Sequence, residues 1–122
     1  MREIEFRGRT NSGDWFYGGY IPGEQAIRPK HCSMKIFVNP KTVGQYTGLK
    51  DKNGVKIFDG DIVACGDGRV PTQIIWDADN CAYYAYNIRR KERAGFNKHF
   101  KIFIREVIGN IHDNPELLEA VT

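Results

Sequence analysis

The chain has no apolar run approaching the ~20 residues that a membrane-crossing helix needs, which excludes a transmembrane helix. Its opening, Met1-Arg2-Glu3-Ile4-Glu5-Phe6, alternates charge with apolar side chains where a signal peptide needs a continuous apolar stretch, so the expectation is a soluble, intracellular protein with no membrane partner. Cysteine is scarce. Cys32, Cys65 and Cys81 are odd in number and far apart, which argues for reduced thiols rather than a disulfide framework. Neither Cys-x-x-Cys nor His-x-x-x-His spacing occurs, so no structural zinc is expected, and the adjacent His31-Cys32 is a poor chelate. Phosphate loops are missing too: Gly18-Gly19 lacks a following lysine, and the acid in Gly66-Asp67-Gly68 would repel phosphate. Charge of one sign is not in large excess, since 18 Lys and Arg face 15 Asp and Glu for a net +3. That balance neither demands nor forbids a polyanionic partner.

What is present describes a globular β protein. A length of 122 residues holds one domain, or one domain with a short appendage, and 41% hydrophobic residues suffice for a core. Thirteen glycines among short alternating stretches indicate many strands joined by tight turns. Ile4 and Phe6 alternate with charged neighbours, and a second strand is expected over Trp15 to Ile21. Pro22, Pro29 and Pro40 predict an irregular excursion between Pro22 and Lys41, relieved only by strand character from Met34 to Val38. Reversals at Asp51-Lys52-Asn53-Gly54, Asp59-Gly60, Gly66-Asp67-Gly68 and Asp77-Ala78-Asp79-Asn80 separate short strands, with Lys50, Asp51 and Lys52 read as a solvated turn. Pro71 marks Val70 to Trp76 as an edge strand. Arg89 to Gly95 is expected to loop into a long ribbon on which Phe96, Phe100, Ile102, Ile104 and Ile108 face the core while Lys101 and Arg105 face water. Asn114-Pro115-Glu116-Leu117-Leu118 has a cap candidate, a proline at the first helical position and an acid in the first turn, which predicts a short C-terminal helix.

Two segments carry a specific resemblance. Val43-Gly44-Gln45-Tyr46-Thr47-Gly48-Leu49-Lys50-Asp51-Lys52-Asn53-Gly54, with Ile57-Phe58-Asp59-Gly60-Asp61-Ile62-Val63 after it, resembles the signature of the YopX-like family of phage and prophage proteins. Glu106 to Leu118, including Gly109, Asn110, Asn114 and Pro115, is similar to that family's closing block, and Arg2 to Arg7 resembles its opening. The resemblance implies a small, mostly-β phage accessory protein with a compact C-terminal barrel, and it carries no established biochemical role. The family-motif residues here are Gln45, Tyr46, Thr47, Gly48, Gly54, Gly60, Asp61, Gly109, Asn110, Asn114 and Pro115.

Candidate chemistry is sparse. Asp59 with Asp61, and Asp77 with Asp79, place paired carboxylates in turns where a divalent cation could find oxygen ligands, as in a metal-assisted hydrolase. The simpler reading is that aspartates in turns bond their own backbone. Cys65 and Cys81 read as small buried apolar residues. The strongest surface signal is the basic run Arg89, Arg90, Lys91 and Arg93 beside Tyr84 and Tyr86, extended by Lys101 and Arg105, because aromatic rings beside cations can stack bases and neutralise phosphate. The competing explanation is a charged hairpin tip that keeps a sheet edge soluble. The sequence thus predicts an N-terminal β arm over 1–42 and an SH3-like barrel within 43–122 closed by a short helix. In function it predicts a non-catalytic module for a host or phage protein or a nucleic acid, with no cofactor. Packing of the arm against a second copy makes a homo-oligomer the third expectation, as a self-associating structural component.

Overall fold

The computed structural model describes residues 4–66, 68–97 and 100–119, with backbone alone at 101 and 102. The chain divides into two compact units, Met1–Gly48 and Leu49–Thr122. Its described residues are mostly strand, arranged in antiparallel sheets.

In the first unit, β1 (Phe6–Arg9), β2 (Trp15–Ile21), β3 (Ala26–Pro29), β4 (Ile36–Phe37) and the first part of β5 (Asn39–Lys50) lie in the order β4-β3-β2-β1-β5. The turn joining β1 to β2 closes through Thr10 N to Asp14 O at 2.9 Å and Gly13 N to Thr10 O at 3.0 Å. Ala26, Ile27, Val38 and Tyr46 are buried and supply the apolar interior. The stretch expected to be irregular is more regular than its prolines suggest, because each proline sits at or beside an element end. Pro22 opens a 3-10 turn, Pro29 is the last residue of β3 and Pro40 is the second of β5, so no ladder is interrupted in its middle. The strand expected from Met34 to Val38 shrinks to Ile36–Phe37.

The second unit contains β6 (Lys56–Phe58), β7 (Asp61–Cys65), β8 (Val70–Asp77), β9 (Ala82–Asn87), β10 (Glu92–Gly95) and β11 (Ile104–Asn110). Five of them form a sheet in the order β10-β9-β8-β7-β11, and Ile57, Val63, Ile74, Ala85, Phe96 and Ile104 pack as its core. This sheet is open, which corrects the expected SH3-like barrel. The strand from Val43 onward, assigned to that barrel by the sequence, pairs instead with β1, Gln45 opposite Phe6 and Gly44 opposite Arg7, so it is spent in the first sheet.

Other corrections have local causes. Pro71 lies within an interior strand, but pairing of β8 with β9 begins only at Thr72 opposite Asn87, so the missing N–H of Pro71 faces no β9 partner. On the last ribbon Phe96 and Ile104 are buried in the core and Phe100 packs against it as expected, the Ile102 side chain lies outside the described residues, and the alternation ends where the β11–β7 register slips twice, bringing Val107 against the core. The C-terminal helix is a single 3-10 turn, Pro115–Leu118. Asn114 does not cap it: its Oδ1 accepts from Asn110 N at 3.2 Å, and four residues are too few to sustain a helix by themselves.

Candidate nucleic-acid interface

The family-motif residues turn out to shape the backbone. Gly54 and Gly60 have φ of +83° and +89°, a region costly for any residue with a Cβ. Gly60 N donates to Ile74 O at 2.9 Å and Gly60 O accepts from Ile111 N at 2.9 Å, which ties the β6–β7 corner to β8 and to the chain after β11. Asp61 is 1% exposed and its Oδ2 accepts from Phe58 N at 2.7 Å. At the other end Asn110 Oδ1 accepts from His112 N at 3.0 Å and Asp113 N at 2.9 Å, while Asn114 N donates to Asn110 O at 2.8 Å. A Cβ on Gly109 would lie 2.4 Å from Asn114 Oδ1, so the glycine makes room for that knot. In the first unit Tyr46 and Thr47 are buried, Gln45 is opposite Phe6, and Gly48 has φ of +91°. Pro115 opens the terminal 3-10 turn.

The candidate metal-ligating aspartates are occupied by backbone. Asp59 Oδ1 accepts from Trp76 N at 3.1 Å. Asp77 accepts from Asp79 N, Asn80 N and Asn80 Nδ2, and its carboxyl is held below the usual range, first by the Asn80 side chain. Asp79 therefore contributes its N–H to that turn. Among the described residues no group of three His, Cys, Asp or Glu side chains converges to hold a metal ion.

The aromatic and basic residues separate by strand parity. Directly paired residues share a face, so Gln73 of β8, Tyr86 of β9 and Arg93 of β10 form one row, and Ile75, Tyr84 and Gly95 form the next. The Arg93 guanidinium lies 5.0 Å from the centroid of the Tyr84 ring, a stacked cation–π contact. Beyond the strand ends, the expected loop from Arg89 to Gly95 is a turn over Ile88–Lys91 followed by β10. Arg90 N donates to Asn87 Oδ1 at 3.1 Å, Ile88 is buried and Arg89, Arg90 and Lys91 are exposed. Tyr84, Tyr86, Arg93 and the turn cations thus lie on one hairpin. Arg105 does not join them: it is half-buried and its Nε donates to Gly66 O at 3.4 Å, beside Lys52 and Arg69. The Lys101 side chain lies outside the described residues.

On the opposite parity, Thr72, Asn87 and Glu92 form a row, as do Ile74, Ala85 and Ala94. Here sequence reading missed a cleft of about 450 Å³, walled by Phe100 and Phe103 and reaching Cys65, Arg90 and Arg93. Its signal was legible only in part, because Val70, Thr72 and Ile74 share a face but the 3-10 turn that brings Phe100 and Phe103 together has no period-2 signature.

Cys65 lines this cleft half-buried and burial pushes its thiol up, against a smaller lowering by Thr72. Cys81, expected to be buried in a strand, is exposed in the turn before β9 with φ of +51°. Alkylation by iodoacetamide at neutral pH, followed by peptide mass spectrometry, should therefore label Cys81 at least tenfold faster than Cys65; equal rates would mean that Cys65 is open and ionisable.

No helix among the described residues is long and apolar enough to cross a membrane. A family model described as YopX protein matches residues 2–119. No curated protein matches the chain.

Proposed function

The chain belongs to the YopX family, and from that premise we propose that it is a non-catalytic binding module, encoded by a phage or prophage, that holds single-stranded nucleic acid on the β9–β10 hairpin inside the bacterial host cell. The observation that carries this reading is the row of Tyr86 opposite Arg93 beside Tyr84 under the Arg93 guanidinium, continued by the exposed cations Arg89, Arg90 and Lys91. Rings and a planar guanidinium offer stacking surfaces to bases whatever their sequence, worth about 1–3 kcal/mol per base, while the turn cations neutralise phosphates. The first-unit sheet, with Phe37 exposed on its edge strand β4, is available for self-association in this reading.

What supports the non-catalytic part of this reading is that polar side chains in the turns are engaged by backbone: Asp59, Asp61 and Asp77 accept backbone N–H groups, and Asn110 and Asn114 accept from the chain beside them. Replacing Arg89, Arg90, Lys91 and Arg93 together by serine should weaken retention of a labelled single-stranded oligonucleotide at least tenfold. Measured by fluorescence anisotropy across a salt series, the slope of log affinity against log salt should become shallower by about 2, since each of the three turn cations' phosphate contacts to a single strand contributes about 0.7. Unchanged affinity and slope would remove this surface and leave the charged turn as a device for solubility.

A further inference from the structure

The cleft on the other parity of the second sheet meets the hairpin surface at Arg90 and Arg93 but has a floor and a wall of its own. Its floor is made of small side chains, Ala85 on β9 and Ala94 on β10 directly opposite each other, with Val70 at the start of β8. One wall is aromatic: Phe100 and Phe103 have ring centroids 5.8 Å apart at 57°. Small residues facing an aromatic wall leave a slot suited to a flat ring, and about 450 Å³ falls within the ~300–1,000 Å³ of small-molecule sites. The polar residues at this slot are largely engaged within the fold. Asn87 Oδ1 accepts from Arg90 N, and Thr72 Oγ1 donates to Val70 O at 3.1 Å. Arg90, Glu92 and Arg93 are the charged residues at its rim, all exposed; the Arg93 guanidinium is stacked on Tyr84 of the other face, which leaves Arg90 as the cation at the cleft.

We propose that this cleft is a binding site for a small aromatic monoanion, its ring between the alanine floor and the Phe100–Phe103 wall and its anionic group at Arg90. The ring gains by burial against apolar surface, and the Arg90 guanidinium decides the sign of the charge it carries. Its floor and wall lie on residues that the tyrosine row does not use, and Arg90 is shared with the hairpin surface.

The test is titration of the full chain with 2-naphthoate, followed by calorimetry and by NMR of the Ala85, Ala94 and Val70 methyl groups. Saturable binding with shifts at those methyls is expected, and at least tenfold weaker binding of naphthalene-2-methylammonium, which has the same ring and the opposite charge. Ala94→Phe, placed on an exposed edge strand and filling the slot, should abolish naphthoate binding while leaving oligonucleotide retention within twofold. Arg90→Gln should weaken naphthoate several-fold and naphthalene-2-methanol hardly at all. Equal affinity for the anion and the cation, or undiminished binding by a folded Ala94→Phe variant, would overturn the proposal. So would decanoate binding tighter than naphthoate, which would mean a chain-shaped groove rather than a slot for a ring.

Discussion

Asp51→Ala should cost the second unit about 3 kcal/mol, read as a lower urea midpoint of Trp76 fluorescence in a Trp15→Phe background. Asp51 is 4% exposed, and its carboxylate collects three backbone N–H groups. Oδ1 accepts from Asn53 N at 2.9 Å and Val55 N at 2.8 Å, closing the turn before β6; Oδ2 accepts from Val107 N at 2.9 Å, 56 residues away. The turn itself is exposed at Lys52, Asn53 and Gly54, so water can replace part of the first pair of bonds. The Val107 bond is less replaceable, because β11 is partly buried there and slips register on both sides of the Glu106–Val107 pair. Loss of the carboxylate leaves that N–H without its acceptor at the point where the ladder is already broken. Asp51→Asn should recover part of the loss, since its remaining oxygen still serves the turn while its amide can meet Val107 N–H only donor to donor. A midpoint unchanged in Asp51→Ala would mean that the β11 slip is held by other contacts.

Gly18→Ala should destabilise the first unit by a similar amount, about 3 kcal/mol, for an unrelated reason. A Cβ on Gly18 would lie 2.1 Å from the Arg28 carbonyl oxygen, 2.8 Å from the carbonyl carbon and 2.9 Å from Pro29 Cα, all backbone atoms of β3. None of them can swing aside like a side-chain tip, so β2 and β3 must part. Parting them loosens Ala26 and Ile27, both fully buried, from the sheet that encloses them. Gly19, the next residue, supplies the control: an added Cβ there meets nothing within 4 Å. In a Trp76→Phe background, Trp15 should report a lower midpoint for Gly18→Ala and almost none of that change for Gly19→Ala. Equal losses would mean that the β2–β3 approach does not set the cost, since removing glycine's freedom from the unfolded chain by itself raises the midpoint at either position.

These two positions also show what the sequence could and could not convey. Asp51 stands in a run that reads as a turn, and the bonds to Asn53 and Val55 are the local chemistry such a run predicts. Its third bond joins residues with no sequence relation, so the same reading places it in solvent when it is buried. Gly18-Gly19 reads as a pair, yet only the first is forced by a neighbouring strand. Turn positions of the second unit were legible because glycine, asparagine and aspartate punctuate them, and β8 lies where Val70 to Trp76 alternate. Closure was not legible. Whether the strand beginning at Val43 completes a barrel or joins the N-terminal sheet depends on whether Gln45 finds Phe6, a choice made by packing over long range rather than by local pattern.

For the site, residue types were readable and their grouping was not. Tyr84, Tyr86 and Arg93 come together because the β9–β10 turn has four residues, Ile88–Lys91, which sets Tyr86 opposite Arg93; a loop one residue longer would present Arg93 to the other face. Arg105 was grouped with them through nearness in sequence, and the 3-10 turn before β11 carries it instead to Gly66.

The most direct test of the hairpin as a recognition surface is ultraviolet crosslinking of the full chain to a single-stranded oligonucleotide, with the adducts mapped by mass spectrometry. The β9–β10 reading predicts adducts concentrated at Tyr84 and Tyr86 and lost when Arg89, Arg90, Lys91 and Arg93 are replaced by serine. Adducts confined to the first unit, or none at concentrations where anisotropy reports binding, would contradict it.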